Sequence, residues 1–358
     1  MKELQYLNRY FIKYRWRLIF GLLITIIARV FALLTPKFIG DSVDIVEKYI
    51  KGDISELAGV KAELLTNILL IIGTTLLAAF FTFLMRQSII VVSRYVEYDL
   101  KNEIFRQYER LSLGFYKQNR TGDLMNRISE DVGKVRMYAG PALMYSATTV
   151  TLFIVVISYM FYTAPLLTLY AVAPLPILSV AIYNLSAAIH KRSTVVQEYL
   201  SKLTSFTQES FSGVSVIKAY GIEPRTNIKF AELAQVSKEK NIDLAKIQAL
   251  FFPLMMMLIG TSNLLVIYIG GKQYMEGEID FGTVVEFLIY VNMLTWPVAV
   301  VGWVTSMIQQ AEASQKRINE FLNQKPDIEN LATEVTPVKG KIEFKNLSFT
   351  YPDTGITA

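Results

Sequence analysis

LLTNILLIIGTTLLAAFFTFLMRQSIIVVSRYVEYDLKNEIFRQYERL, residues Leu64 to Leu111, holds no proline and one glycine, Gly73. Nothing in it stops a helix, and at 1.5 Å per residue a single helix over this stretch is ~72 Å long. Its first part, Leu64 to Met85, suits a bilayer, whose hydrocarbon core takes ~30 Å, or ~40–45 Å with headgroups. About 30 Å of helix is then left over on one side. That excess keeps an apolar stripe of Leu100, Ile104, Tyr108 and Leu111 on one face, so it is expected to pack on other helices. A rod that crosses a membrane and stands well clear of it decides the architecture.

Working outward, five more spans follow from runs of suitable length: Trp16 to Ile39, Ala142 to Tyr162, Pro165 to His190, Ala249 to Tyr268 and Gly282 to Ile308. Overshooting rods are also predicted over 165–211 and 223–271, and a shorter one over 123–162. The second pair carries the stripe Val196, Tyr199, Leu200, Leu203 and Phe206. Four stalk helices in two hairpins are therefore expected to pack into one bundle. Lys and Arg crowd the N-terminus and the segments 86–139, 190–248 and 309 onward. The segment 37–63 is acidic on balance, 163–164 is uncharged, and 272–280 sets one lysine against Glu276, Glu278 and Asp280. This alternation predicts six spans with both termini in the cytoplasm. The N-terminal apolar run lacks a small-residue cleavage site and reads as a retained first span.

Composition agrees. The 358 residues are 52% hydrophobic and 19% charged, against globular averages of about 45–50% and about 25%. Zero cysteines exclude a disulfide framework and a thiolate metal site, and the single histidine, His190, excludes a histidine cluster for zinc. No metal ligands and no catalytic group are predicted. The net charge of +5 lies along the cytoplasmic membrane face, which accounts for it through lipid headgroups without nucleic acid.

At the stalk tips lie LSLGFYKQNRTGD, Leu111 to Asp123, and SFSGVSVIKAYGIEP, Ser210 to Pro224. Gly114 and Thr121-Gly122 break the first, Gly213, Gly221 and Pro224 the second, and Asp123 or Thr121 can cap the helix that follows the first. Leu113, Phe115 and Tyr116 sit at one tip, and Val214, Val216, Ile217 and Tyr220 at the other. A tip buries little against its own helices, so these groups read as docking knobs. The alternative is that they close the end of the bundle core.

The last stretch changes period. In KIEFKNLSFTYPDTGITA, Lys341 to Ala358, the apolar residues Ile342, Phe344, Leu347 and Phe349 nearly alternate with polar ones. That is the pattern of a strand with one buried face. One strand cannot bury its face alone, so a soluble domain is expected to start here and the sequence to stop inside it.

Several strings together resemble a known family. FYKQNRTGDLMNRISEDV is similar to the first cytoplasmic loop of six-span ABC exporters, and TQESFSGVSVIKAYGIEP to their second. IQQAEASQKRINEFLNQKPDIEN resembles the exit from the last span, and KGKIEFKNLSFTYPD the first strand of the nucleotide-binding domain. The resemblance runs over essentially the whole chain, in order. It implies an all-α integral membrane fold of the ABC exporter type 1 kind, with six long helices extending into the cytoplasm and a short C-terminal β fragment. It divides the chain into residues 1–323 as membrane domain, 324–340 as linker and 341–358 as the first strand of a truncated nucleotide-binding domain. It implies coupling helices near Ser112–Arg120 and Ser210–Tyr220, each seated on a nucleotide-binding domain. Tyr351 falls where the family stacks an aromatic on adenine; without the family it reads as a strand-end aromatic covering a core. The implied partners are membrane lipid, a second half-transporter and the nucleotide-binding domains, and the implied setting is a bacterial cytoplasmic membrane.

The departure is equally plain. No G-x-x-x-x-G-K-[ST] occurs in the sequence, so nothing here cradles phosphates or positions magnesium. ATP and Mg²⁺ are expected in an intact parent, with none bound by this fragment.

Polar residues within the spans are the handles on substrate: Arg29, Asn184, Asn263, Glu286 and Asn292. They read as a polar cavity for a headgroup or cation; alternatively, Arg29 and Glu286 satisfy neighbouring helices or snorkel. Pro174, Pro176 and Pro297 interrupt backbone hydrogen bonds and provide hinges or fixed kinks. Met255, Met256 and Met257 read as adaptable packing. The expected function is the membrane half of an ATP-driven exporter working by alternating access. Rival readings are a nucleotide-independent carrier or channel and a non-transporting membrane partner subunit.

Overall fold

The structure, a computed structural model, describes residues 2–52, 57–327, 340–350 and 355–357. A 3-10 turn, Glu3–Leu7, leads into α1 (Asn8–Lys13) and then α2 (Arg15–Lys51), α3 (Leu57–Arg110), α4 (Leu113–Gln118), α5 (Thr121–Asn126), α6 (Val132–Met137) and α7 (Leu143–Thr163). There follow α8 (Pro165–Val172), α9 (Pro174–Ser212), α10 (Val214–Tyr220), α11 (Glu223–Ala249), α12 (Phe251–Met275) and α13 (Phe281–Leu322). Six stretches among these are long and apolar enough to cross a membrane: 15–51, 57–110, 121–163, 165–212, 223–275 and 281–322. They match the six predicted spans, and the chain is an integral membrane protein. With 54 residues, α3 is ~81 Å long, far more than a bilayer uses.

Two predicted rods are broken once each. Pro174 and Pro176 leave the carbonyls of Tyr170 and Val172 without an intrahelical donor, and the helix stops at Ala173 and restarts with Pro174 at its first position. The expected single helix over 223–271 is interrupted at Leu250, because Pro253 cannot donate back to Ala249. Pro297 is absorbed inside α13. The expected continuous helix over 123–162 instead contains two π turns, 127–131 and 138–142. Pro141 lies in the second, where a missing N–H favours a widened turn. The capping expectation also fails. Thr121 is already the first helical residue and Arg120 precedes it with no side-chain cap, while Asp123 accepts from Arg127 Nη2 at 2.8 Å.

The apolar residues form two large cores. One lies between the spans and includes Leu33, Val156, Leu167, Phe287, Tyr290 and Leu294. The other lies in the stalk on the side of the termini, where Leu100, Ile104 and Leu111 of the predicted stripe are buried with Val96, Val132, Val135, Ile318 and Phe321, and Tyr108 of the stripe is partly buried against them. Leu4, Leu7 and Tyr10 complete this second core. The N-terminal segment therefore runs down α3 as a further helix of the first bundle. The two hairpins do not form one bundle: α9 packs along α11 and on α12, with no extended contact to α3 or α6. Of the second stripe, Val196 is buried, Tyr199, Leu203 and Phe206 are half-buried, and Leu200 is exposed.

Residues 341–349 have no regular hydrogen-bonded structure, and the one pairing nearby is an isolated antiparallel bridge between Thr350 and Thr357. Ile342, Phe344, Leu347 and Phe349 are exposed. Among the described residues no partner strand lies beside this alternating stretch, so its apolar face has nothing there to pack against.

Candidate functional sites: two connectors and the polar groups between the spans

Both stalk tips are short helices, α4 and α10, set between the long ones. Gly221, at φ +61°, lets the chain turn out of α10 in the left-handed conformation that a side chain resists. Leu113, Tyr116, Val214, Val216 and Tyr220 are exposed, while Phe115 and Ile217 are half-buried.

The first tip is braced from below. Phe115 packs on Phe321 of α13 with ring centroids 6.1 Å apart, and Tyr108 on the same ring at 4.8 Å. Tyr116 Oη donates to the Tyr108 carbonyl, and Tyr108 Oη to the Leu124 carbonyl, each at 2.5 Å. Burial raises the Tyr108 phenol to about 12, so it remains a donor. The chain leaving α13 is tied to the same tip: Gln107 Nε2 donates to the Gln324 carbonyl at 2.7 Å, and Ser112 Oγ bonds Asp327. Of the two readings of this tip, Phe115 closes the bundle while Leu113 faces out. The second tip has no comparable brace among the described residues; α10 packs chiefly on α9.

One ion pair with a buried acid links these parts and was not singled out from sequence. Asp131, 4% exposed, ends the first π turn and faces α13. It accepts from Ser314 Oγ at 2.8 Å and from Arg317 Nε at 3.0 Å, with Arg317 Nη2 also bound. The hydrogen bond to Asp131 holds the Arg317 guanidinium above its ordinary value. The N-terminal segment was also missed. Tyr6 and Tyr10 donate to Glu103 at 2.7 and 2.6 Å beside Arg9, and Lys13 and Tyr14 to Asp99 at 2.6 and 2.9 Å. The spacing of Leu4, Leu7 and Tyr10 is the signal that could have found it.

The five candidate pathway residues lie on four helices. Arg29, on α2, is half-buried, and its Nε has no hydrogen-bond partner; the same holds for Asn263 Oδ1 on α12. Asn184, on α9, lines an otherwise apolar groove of about 530 Å³ with Leu250, Pro253 and Met257. Glu286, on α13, is 5% exposed and tied down: Tyr290 Oη lies 2.7 Å from its Oε1 and 2.9 Å from the Leu33 carbonyl. Asn292 is exposed and bonds its own helix at the Leu288 carbonyl. Glu286 packs beside Gly40, which lies ~16 Å along α2 from Arg29 by helical rise. The set is therefore spread along the spans. Tyr351 lies outside the described residues, as does 328–339 of the linker.

Six spans, stalks continuing them on one side and short helices at the stalk tips define a transporter-type membrane domain. The ABC transporter transmembrane region matches residues 18–298, and the chain belongs to that family. It is similar to the multidrug resistance-like ATP-binding protein MdlA of Escherichia coli (strain K12), with 29% identity over 99% of this chain and 59% of the relative. The probable multidrug resistance ABC transporter ATP-binding/permease protein YheI of Bacillus subtilis (strain 168) is 28% identical over 98% of this chain and 59% of the relative. An ATP-dependent lipid A-core flippase of Syntrophus aciditrophicus (strain SB) is 31% identical over 72% of this chain and 43% of the relative. The chain thus spans about three-fifths of the length of the first two.

Proposed function

We propose that this chain is the membrane half of an ATP-driven exporter and forms a translocation pathway by alternating access in a bacterial cytoplasmic membrane, with both termini in the cytoplasm. The observation that carries the reading is the pair of short helices, α4 and α10, held at the stalk tips with apolar groups facing out. Such surfaces suit docking by a motor domain. In this reading, residues 1–323 are the membrane domain, 324–340 the linker, and 341–358 the start of a nucleotide-binding domain in which Tyr351 stacks on adenine. The relatives' names support ATP as the energy source. The residues present here do not fit a nucleotide site, since the phosphate-binding loop motif is absent from the sequence. The partners are lipid, a second half (the same chain or a sister) and nucleotide-binding domains. The largely self-contained α9–α11 hairpin, with Leu200, Phe211 and Ile228 exposed, supports a second half that covers it.

Arg29, Asn184, Asn263, Glu286 and Asn292 are assigned to the pathway. Arg29 and Asn263 retain unsatisfied polar atoms, while the Tyr290 bond assigns Glu286 a positioning part. The test is the longer protein in liposomes, assayed for ATP-dependent movement of a fluorescent lipid and a dye. Tyr116→Asp and Ile217→Asp are expected to cut transport by about tenfold or more, since ~1.4 kcal/mol of docking energy already gives tenfold. Full transport by both variants overturns the docking roles. Transport by the 358-residue chain alone, without nucleotide, overturns the export reading.

A further inference from the structure

Only two acidic or basic residues lie in the hydrocarbon-crossing parts of the spans, 18–36, 64–85, 142–162, 165–189, 249–268 and 282–308: Arg29 and Glu286. Their charges are opposite, but they do not meet. Glu286 packs beside Gly40, ~16 Å along α2 from Arg29 by helical rise. Tyr290 Oη donates to its carboxylate at 2.7 Å. Arg29 is left with no counter-ion in these stretches.

Helical spacing puts Arg29 on the same face of α2 as Leu33 and Gly40, the face that meets α13 at Tyr290 and Gly282. Its side chain is half-buried, and its Nε is closed off with no hydrogen-bond partner among the described residues. The helices packed against α2 over the span are α3, α7 and α13. None of them carries a carboxylate over 64–85, 142–162 or 287–308. Headgroups do not supply the anion either. Arg29 lies ~18 Å past Arg17 by rise, which leaves ~12 Å to the far side of a ~30 Å core. Both distances exceed the reach of an arginine stem, the device that elsewhere carries the head to the interface.

A guanidinium held between spans without a partner is costly, and it cannot shed its proton to escape the cost. An anion that joins it removes the cost. The planar fork of N–H donors matches phosphate, carboxylate or sulfonate oxygens two at a time. We propose that Arg29 is where the pathway takes the anionic head of its cargo, so that the substrate class is an amphiphile with a negatively charged head. The proposal rests on the export reading above and names the substrate class of that pathway.

The test uses the longer protein in liposomes and nanodiscs of phosphatidylcholine, whose lipids carry no net charge. The probes are a fluorescent phosphatidylglycerol, a sulfonated dye and a cationic dye on the same ring system. ATP-dependent movement is expected to favour the anionic probes. In Arg29→Gln their KM is expected to rise about tenfold or more, the ratio that one charge-assisted bond supplies, while the cationic dye moves at least as well as before. Arg29→Lys, which keeps the charge but not the fork, is expected to fall between. A rise for the lipid alone supports a phospholipid as the source of the head, and a rise for the dye alone supports a free organic anion. Thermal unfolding in nanodiscs separates a structural role. Without probe, Arg29→Gln is expected to unfold at or above the parent's temperature, because an unpaired charge has gone. Added phosphatidylglycerol probe is expected to raise the parent's temperature and not the variant's. A variant that unfolds earlier, or no longer pairs with its second half, shows that Arg29 answers a carboxylate of the protein and overturns the proposal. Equal KM values for parent and Arg29→Gln overturn it while leaving the export reading standing. No ATP-dependent movement of any probe overturns the export reading and the proposal with it.

Discussion

Asp131 illustrates how one side chain ties distant parts of this chain. Its carboxylate is buried at the junction of α5, α6 and α13, and three donors from Ser314 and Arg317 satisfy it. Arg317 itself is about half exposed, with 48% of its side chain open to solvent, so the screened ion-pair energy is small and the larger effect lies with the buried acid. Arg317→Ala is expected to cost about 1–3 kcal/mol, because it leaves a buried acceptor underpaired. Asp131→Ala is expected to cost less than Arg317→Ala, since the freed guanidinium can turn to water. Thermal unfolding of both single variants and the double variant in detergent checks the order; equal losses for the two singles contradict it. Glu286 makes a related point. An acidic residue inside a span reads from sequence as a substrate contact or as a helix tie, and what the structure adds for Glu286 is its bond to Tyr290, whose hydroxyl also lies at the Leu33 carbonyl.

Among the elements, the N-terminal segment contributes most that was unforeseen. Leu7 is fully buried, between α3 and α13, and Leu7→Ala is expected to destabilise by about 2–5 kcal/mol. Tyr6→Phe and Tyr10→Phe are expected to cost about 1 kcal/mol each, through the bonds to Glu103. Burial first, and then those bonds, raise both phenols well above the ordinary value of 10.0. The neutral phenols therefore give their stability in full below pH 10, and it fades as pH rises toward the folded values. Alkaline unfolding of the double phenylalanine variant should lose that component of the pH dependence.

The spans and the stalk excess were legible because each depends on local periodicity and length; glycine placement marked the two tips as breaks, and short helices there were expected only from the family resemblance. The break at Leu250 was legible in principle from Pro253. The placement of α1 beside α3, and the separation of the two hairpins, depend on which remote apolar faces meet. A single helix pattern does not encode that choice.

For the molecule as a whole, the two stalk lobes are built differently. The first is cored by four stretches of chain and tied to the exit from α13. The second is largely one hairpin, α9–α11, resting on itself and α12, with Phe211, Ile228 and Phe230 exposed. Maleimide labelling of Ile228→Cys is expected to be about tenfold slower in the assembled pair than in isolated chains, the change that burial worth ~1.4 kcal/mol would give. Equal rates would show that no second half covers this face.

The contrast between the lobes bears on the life of a newly made chain. Lys218 and Arg225 flank the turn after α10, where basic residues and exposed backbone invite tryptic cleavage. An orphan half would advertise itself to quality-control proteases at that site. Pairing would hide it, so the survival of the chain in the cell would report whether assembly had succeeded.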